Sequence, residues 1–146
     1  MLEIEIQKMV NIGSIEKHIL SSEEAIPNLR QNIGKKILWA EKPHQKTPLS
    51  IVFVHGFSAT RVELSPVIEK VAKALGANVF FTRLCGHGQD GEALSNATFN
   101  DWISDTEGAI DVGKVIGDEI IIIGSSTGCS IIHSILEKHT KIKSAI

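Results

Sequence analysis

The segment EIIIIGSSTGCSII, Glu119 to Ile132, decides how this chain is read. Four consecutive isoleucines suit a strand covered on both faces. GSSTG follows at once, and Ile131, Ile132, Ile135 and Leu136 then recur at helical spacing. A G-x-S-x-G set between a buried strand and a helix describes a tight turn with its serine pushed out at the tip. Gly124 and Gly128 remove side chains that would collide with neighbouring backbone. The helix start beneath the turn lets the Thr127 N–H face a developing oxyanion. Ser126 is therefore the candidate nucleophile.

Working outward, the same alternation repeats. LSIVFVHGF, from Leu49 to Phe57, is a near-continuous apolar strand that ends in His55-Gly56-Phe57. Ser65-Pro66 reads as a helix cap with proline at the first helical position. Val67, Ile68, Val71, Ala72 and Leu75 then recur at helical spacing up to Gly76. NVFFTRL is a further strand, and CGHGQDGEALSNA a glycine-rich loop. Thr98 with Asp101 forms a capping box for a helix whose face carries Trp102, Thr106, Ala109, Ile110, Gly113 and Ile116. IKSAI begins another strand. Strand–helix alternation from Leu49 predicts an α/β fold, a mostly parallel sheet with helices on both faces. KKILWAE reads as an earlier strand, antiparallel to the next because KPHQKTP is too short for a crossover. Residues 1–34 are poorly legible: LEIEI alternates like a strand, while Leu2, Ile6 and Met9 also fit a helix face. Residues 35–146 read as one partial domain.

Composition bounds the function. With 42% apolar and 22% charged residues and a net charge of −2, the chain has no basic surface for nucleic acid. No run approaches a membrane span. The N-terminus lacks a basic start and an apolar core, so it is not a signal peptide, and a cytoplasmic location is expected. Cys85 and Cys129 show no CxxC or zinc-like spacing and read as free thiols, with Cys129 expected to pack in the core.

In sheets of this class a ligand site lies beyond the carboxyl ends of the strands, where HGF, CGHGQDG and GSSTG all fall. Gly56 lets the backbone curl so that the Phe57 N–H points at the same oxygen as the Thr127 N–H. His55 reads as a loop-shaping hydrogen-bonding residue rather than a base.

FVHGF, LCGHG, DWISD and GSSTG, in this order and spacing, resemble the N-terminal half of an α/β-hydrolase, nearest to the carboxylesterase, monoglyceride-lipase and serine-aminopeptidase group. The resemblance covers Lys36 to Ile146. It implies the N-terminal portion of that fold, with Ser126 as nucleophile and the backbone of Phe57 and Thr127 as the oxyanion hole. His55, Gly56, Gly124, Gly128 and His87 shape the loops. It implies an acyl-enzyme mechanism on a small-molecule carboxylic ester, with no metal and no organic cofactor.

Two departures stand out. Cys129 occupies a position where the family often has glycine, and Cys85 replaces a proline. A larger one is the triad, whose order in this fold is Ser, then Asp or Glu, then His. After Ser126 come only His133, Glu137 and His139, on or just after the next helix. The acid and base are expected from strands that the sequence does not reach, so the chain is expected to be incomplete as an enzyme and to expose apolar surface. Self-association or a complementary segment along the uncovered sheet edge follows, and a non-catalytic half-domain is the alternative function. GHGQDG also matches G-x-G-x-x-G. A dinucleotide site needs a helix opening at that loop, which is expected only at Thr98, and an acid at the end of the following strand, which is missing.

Overall fold

The computed structural model describes residues 11–146. The alternating LEIEI stretch and the helix face of Leu2, Ile6 and Met9 lie outside the described residues. Helix α1 (Ile15–Glu24) precedes β1 (Lys36–Leu38) and β2 (Thr47–Val54). Then come α2 (Ser65–Leu75), β3 (Asn78–Phe81), α3 (Gly91–Asn96), α4 (Phe99–Ile116), β4 (Gly117–Gly124), α5 (Thr127–Ile135) and β5 (Ile142–Ala145).

The five strands form one sheet in the order β1-β3-β2-β4-β5. All neighbours are parallel except β1 with β3. β1 thus runs antiparallel to β2, as the short connector requires, but β3 lies between them. Period-two alternation sorts the apolar side chains of each strand to two faces. Val52, Val54, Ile120 and Ile122 meet α1, α4 and α5, while Ile51, Phe53, Val79 and Phe81 meet α2. This is an α/β sheet with helices on both faces.

Local chemistry sets the helix ends. Thr98 Oγ1 accepts from the Asp101 amide at 3.2 Å, and the Thr98 amide donates to the Asp101 carboxylate at 2.8 Å. Gly76 ends α2 at φ 61°. At the start of α2 the cap is Leu64, without a side-chain bond, rather than Ser65. The α2 apolar stripe is wider than its contact: Ile68 and Ala72 are buried, while Val67, Val71 and Leu75 remain 56%, 38% and 45% exposed. α3 lies within the stretch that reads in sequence as a glycine-rich loop; Asp90 caps it by accepting from the Ala93 amide.

Two glycines of α4 separate packing from propensity. A Cβ on Gly113 would lie 2.7 Å from Val52 Cγ2 and 3.1 Å from Ile120 Cδ1, whereas one on Gly108 would meet nothing within 4 Å. Gly108→Ala is expected to stabilise the fold by about 0.4–1 kcal/mol, and Gly113→Ala to destabilise it by about 1–3 kcal/mol. Urea unfolding of the two variants checks this; equal effects would contradict the packing assigned to Gly113.

Candidate active site

At the end of β4 the chain turns sharply into α5. Ser126 sits at φ 50° and ψ −115°, a conformation rarely adopted by a residue with a side chain. Such a backbone costs on the order of 1–3 kcal/mol and persists only where its surroundings hold it. Those surroundings admit no Cβ at either glycine. On Gly124 it would lie 2.7 Å from the Cys129 amide nitrogen and 2.8 Å from Ile132 Cδ1. On Gly128 it would strike the Val54 carbonyl and come within 2.9 Å of the His55 carbonyl oxygen. The start of α5 therefore presses directly on the end of β2. Gly128 N–H to Ser125 O (2.8 Å) and Cys129 N–H to Ser126 O (2.9 Å) close the turn.

Ser126 is exposed, and its side chain makes no capping bond to α5. The HGF loop lies beside it: a Cβ on Gly56 would be 3.3 Å from Ser126 Cβ. Three amides of these loops are taken: Ser125 N–H by Val54 O, Ser58 N–H by His87 Nε2, Ala59 N–H by Gly56 O. The Phe57 and Thr127 amides, like those of Gly56 and Ser126, have no acceptor among the described residues. Phe57 is 59% exposed. It meets Trp102 at 6.1 Å, and Trp102 meets Phe99 at 6.5 Å, forming an aromatic shelf along the rim.

The two histidines of these loops are committed to backbone. His55 is fully buried; its Nε2 accepts from the Leu84 N–H at 3.1 Å and its Nδ1 lies 2.8 Å from Gly56 O. An imidazole nitrogen that accepts carries no proton, so the Nδ1–H must donate to the carbonyl and the ring is neutral. His87 repeats the pattern, with Nε2 accepting from Ser58 N–H at 3.0 Å and Nδ1 facing Cys85 O at 3.1 Å. The rings lie edge to face, 4.8 Å apart. Burial lowers the His55 pKa to about 4; the bond to Gly56 O opposes it, and the neighbouring His87 and Arg83 add smaller downward pulls. Burial likewise lowers that of His87. Neither ring has a nitrogen left for Ser126, which removes His87 as a substitute base.

The LCGHG loop is tied from several sides. Asp105 Oδ2 accepts from the Cys85 amide at 2.6 Å, and Trp102 Nε1–H donates to Cys85 O at 3.0 Å. Burial raises the Asp105 pKa, although Lys35 and the Cys85 amide oppose it. Arg83, 4% exposed, grips Glu23, 8% exposed, through two parallel bonds of 2.8 and 3.1 Å. Burial acts to raise the Glu23 pKa, but the Arg83 and Lys35 bonds and charges outweigh it and hold the carboxylate below its ordinary range. Nothing in the sequence marks this pair, because Glu23 lies in a segment without a legible pattern. Two glycines of GHGQDG serve packing: a Cβ on Gly86 would lie 2.6 Å from Ala93 O and one on Gly88 would meet Ile33 at 2.9 Å and Leu29 at 3.1 Å, whereas one on Gly91 would meet nothing within 4 Å. Cys85 and Cys129 are free, and Cys129 is exposed rather than packed in the core, because the first turn of α5 faces outward there. Among the described residues no group of three His, Cys, Asp or Glu side chains could hold a metal ion, and no helix is long and apolar enough to cross a membrane. His133 is exposed on α5, and His139 follows it.

The sheet and the turn after β4 are those of the α/β-hydrolase fold. It is 34% identical over 95 residues to the thermostable monoacylglycerol lipase of Bacillus sp. (strain H-257), a match covering 65% of this chain and 38% of that protein. A structure of the metagenome-derived lipolytic enzymes LipS and LipT superposes with a TM-score of 0.66 at 19% identity, over 82% of this chain and 45% of that one. Ferulic acid-bound Est1E of Butyrivibrio proteoclasticus gives 0.63 at 21%, over 77% and 47%. No protein-family model matches. The chain thus spans about two fifths, 38%, of the length of the curated relative it matches.

Folded His55 resists protonation down to about pH 4, whereas unfolded His55 takes a proton near pH 6.5. Its contribution is therefore present above pH 6.5 and lost as pH falls from there to about 4, amounting to roughly 3 kcal/mol. An NMR titration should find His55 neutral to about pH 4; a midpoint near 6.5 would contradict the buried tautomer.

Proposed function

We propose that this chain is the nucleophile-bearing part of a serine hydrolase acting on carboxylic esters of small or medium acyl groups. The observation that carries the reading is Ser126 at φ 50°, exposed and beside Gly56, with the unpartnered Phe57 and Thr127 amides on the loops that flank it. In the reaction Ser126 Oγ attacks the ester carbonyl, and the tetrahedral oxyanion is held by the two amides. Collapse expels the alcohol and leaves an acyl-serine, which water then cleaves. The aromatic shelf of Phe57, Trp102 and Phe99 gives the apolar part of the ester a surface to lie on. Similarity to a monoacylglycerol lipase and to lipolytic enzymes supports the ester class.

The attack also needs a proton acceptor. No described histidine is hydrogen-bonded to Ser126: His55 and His87 are engaged with Leu84 and Ser58 amides, and His44 Nδ1 lies against Ile12 O. An oxyanion hole and binding alone sustain about 10³–10⁴-fold catalysis over water, so residues 11–146 by themselves are expected to react slowly.

A fluorophosphonate probe tests this. It should add to Ser126, releasing fluoride, and Ser126→Ala should abolish the adduct seen by mass spectrometry. Folded chain that acquires no adduct, or acquires it elsewhere, would leave the non-catalytic reading in its place.

A further inference from the structure

The segment before β1 takes no part in the elbow, yet its hydrogen bonds lead to the loop that carries the Phe57 amide. We propose that Glu23 and Arg83 are positioning residues for that amide, acting through His87 and Ser58. This rests on Phe57 N–H being an oxyanion donor and goes beyond it by giving the N-terminal segment a role in the site.

Each link is a short bond. Arg83 Nε and Nη2 donate to the Glu23 carboxylate at 2.8 and 3.1 Å, which fixes the guanidinium plane. The remaining nitrogen, Nη1, donates to the His87 carbonyl at 3.0 Å. The His87 ring accepts the Ser58 amide at 3.0 Å, one residue beyond Phe57. Ser58 has φ 59°, a left-handed conformation that a serine holds only when its surroundings fix it. The far side of the same loop is tied to the same segment. Arg61 Nε donates to Gly34 O at 2.9 Å and Nη2 to Asn32 O at 2.7 Å. Glu23 Oε2 also accepts the Lys35 amide at 2.9 Å, and a Cβ on Gly34 would lie 2.9 Å from that oxygen. One carboxylate thus organises both tethers of the oxyanion loop. Arg30 N–H to Gly88 O, at 2.9 Å, adds a third bond from this segment to the His87 loop.

A purely structural ion pair would serve equally well with lysine in place of Arg83. Lysine keeps the charge beside Glu23 but lacks the fork that serves Glu23 and the His87 carbonyl together. Amide hydrogen exchange in the full chain therefore separates the two roles. Arg83→Lys and Glu23→Gln should each speed exchange of the Ser58 amide at least tenfold relative to Val52, whose strand amide reports global stability. The fluorophosphonate rate constant at Ser126 should fall by a similar factor at saturating probe. Ser58 exchange that rises only in step with Val52, or stays unchanged, would overturn the proposal. Should one variant fail to fold, the other supplies the same comparison. A wild-type chain that never labels would refute the nucleophile reading on its own, and the Ser58-to-Val52 ratio still decides the positioning link.

Discussion

The contact between the first turn of α5 and the last residues of β2 governs the whole site. It is closer than any side chain at position 128 permits, since a Cβ there would strike the Val54 carbonyl. That approach forces the chain to reverse within a few residues after β4, and Ser126 takes up the reversal at φ 50°. Backbone strain of on the order of 1–3 kcal/mol is tolerable because the flanking elements are anchored in the core. β4 pairs with β2 from Thr47–Gly117 to Val54–Gly124, and Ile131, Ile132 and Ile135 bury α5 against the sheet. Stable packing on either side thus holds an unstable backbone between them.

Around that turn the polar groups divide into two kinds. His55 and His87 are neutral rings whose nitrogens are spent on backbone amides and carbonyls, so they set loop shape, and burial lowers the pKa of both, that of His55 to about 4. The Phe57 and Thr127 amides, by contrast, are left without acceptors among the described residues. Folded proteins pair nearly all their buried amides, so two neighbouring loops that leave amides open beside an exposed hydroxyl are the basis for proposing a ligand oxygen there. The buried Arg83–Glu23 pair lies behind these loops. Removing one partner of such a pair strands a charge in the interior, so the pair joins α1 firmly to the sheet.

Much of this was legible in sequence because it rests on local signals. The isoleucine run of β4, the Thr98–Asp101 box, Gly76 and the spacing of GSSTG each act within a few residues. Trp102 falls on the apolar face that the helical spacing marks, and its indole N–H is bonded to the Cys85 carbonyl. What escaped depends on distant partners. Glu23 meets Arg83 sixty residues away, and nothing in the pattern of residues 11–34 marks that carboxylate as buried. β1 was assigned its direction from a short connector, but its neighbour is chosen by the β2–β3 crossover, which sequence spacing does not report. Helix α3 is six residues long and carries no buried residue, so it lacks the apolar periodicity by which a helix is recognised. Cys129 was placed inward by its closeness to the strands; the helix turns that position outward while the glycine before it makes the close contact.

The account turns on whether the two open amides and the strained serine act on one oxygen. A crystal structure of the Ser126 phosphonate adduct measures this directly. The phosphonyl oxygen should lie about 2.7–3.1 Å from both the Phe57 and Thr127 nitrogens, with Ser126 still at positive φ. An oxygen turned to solvent, or a serine relaxed to negative φ, would contradict the account.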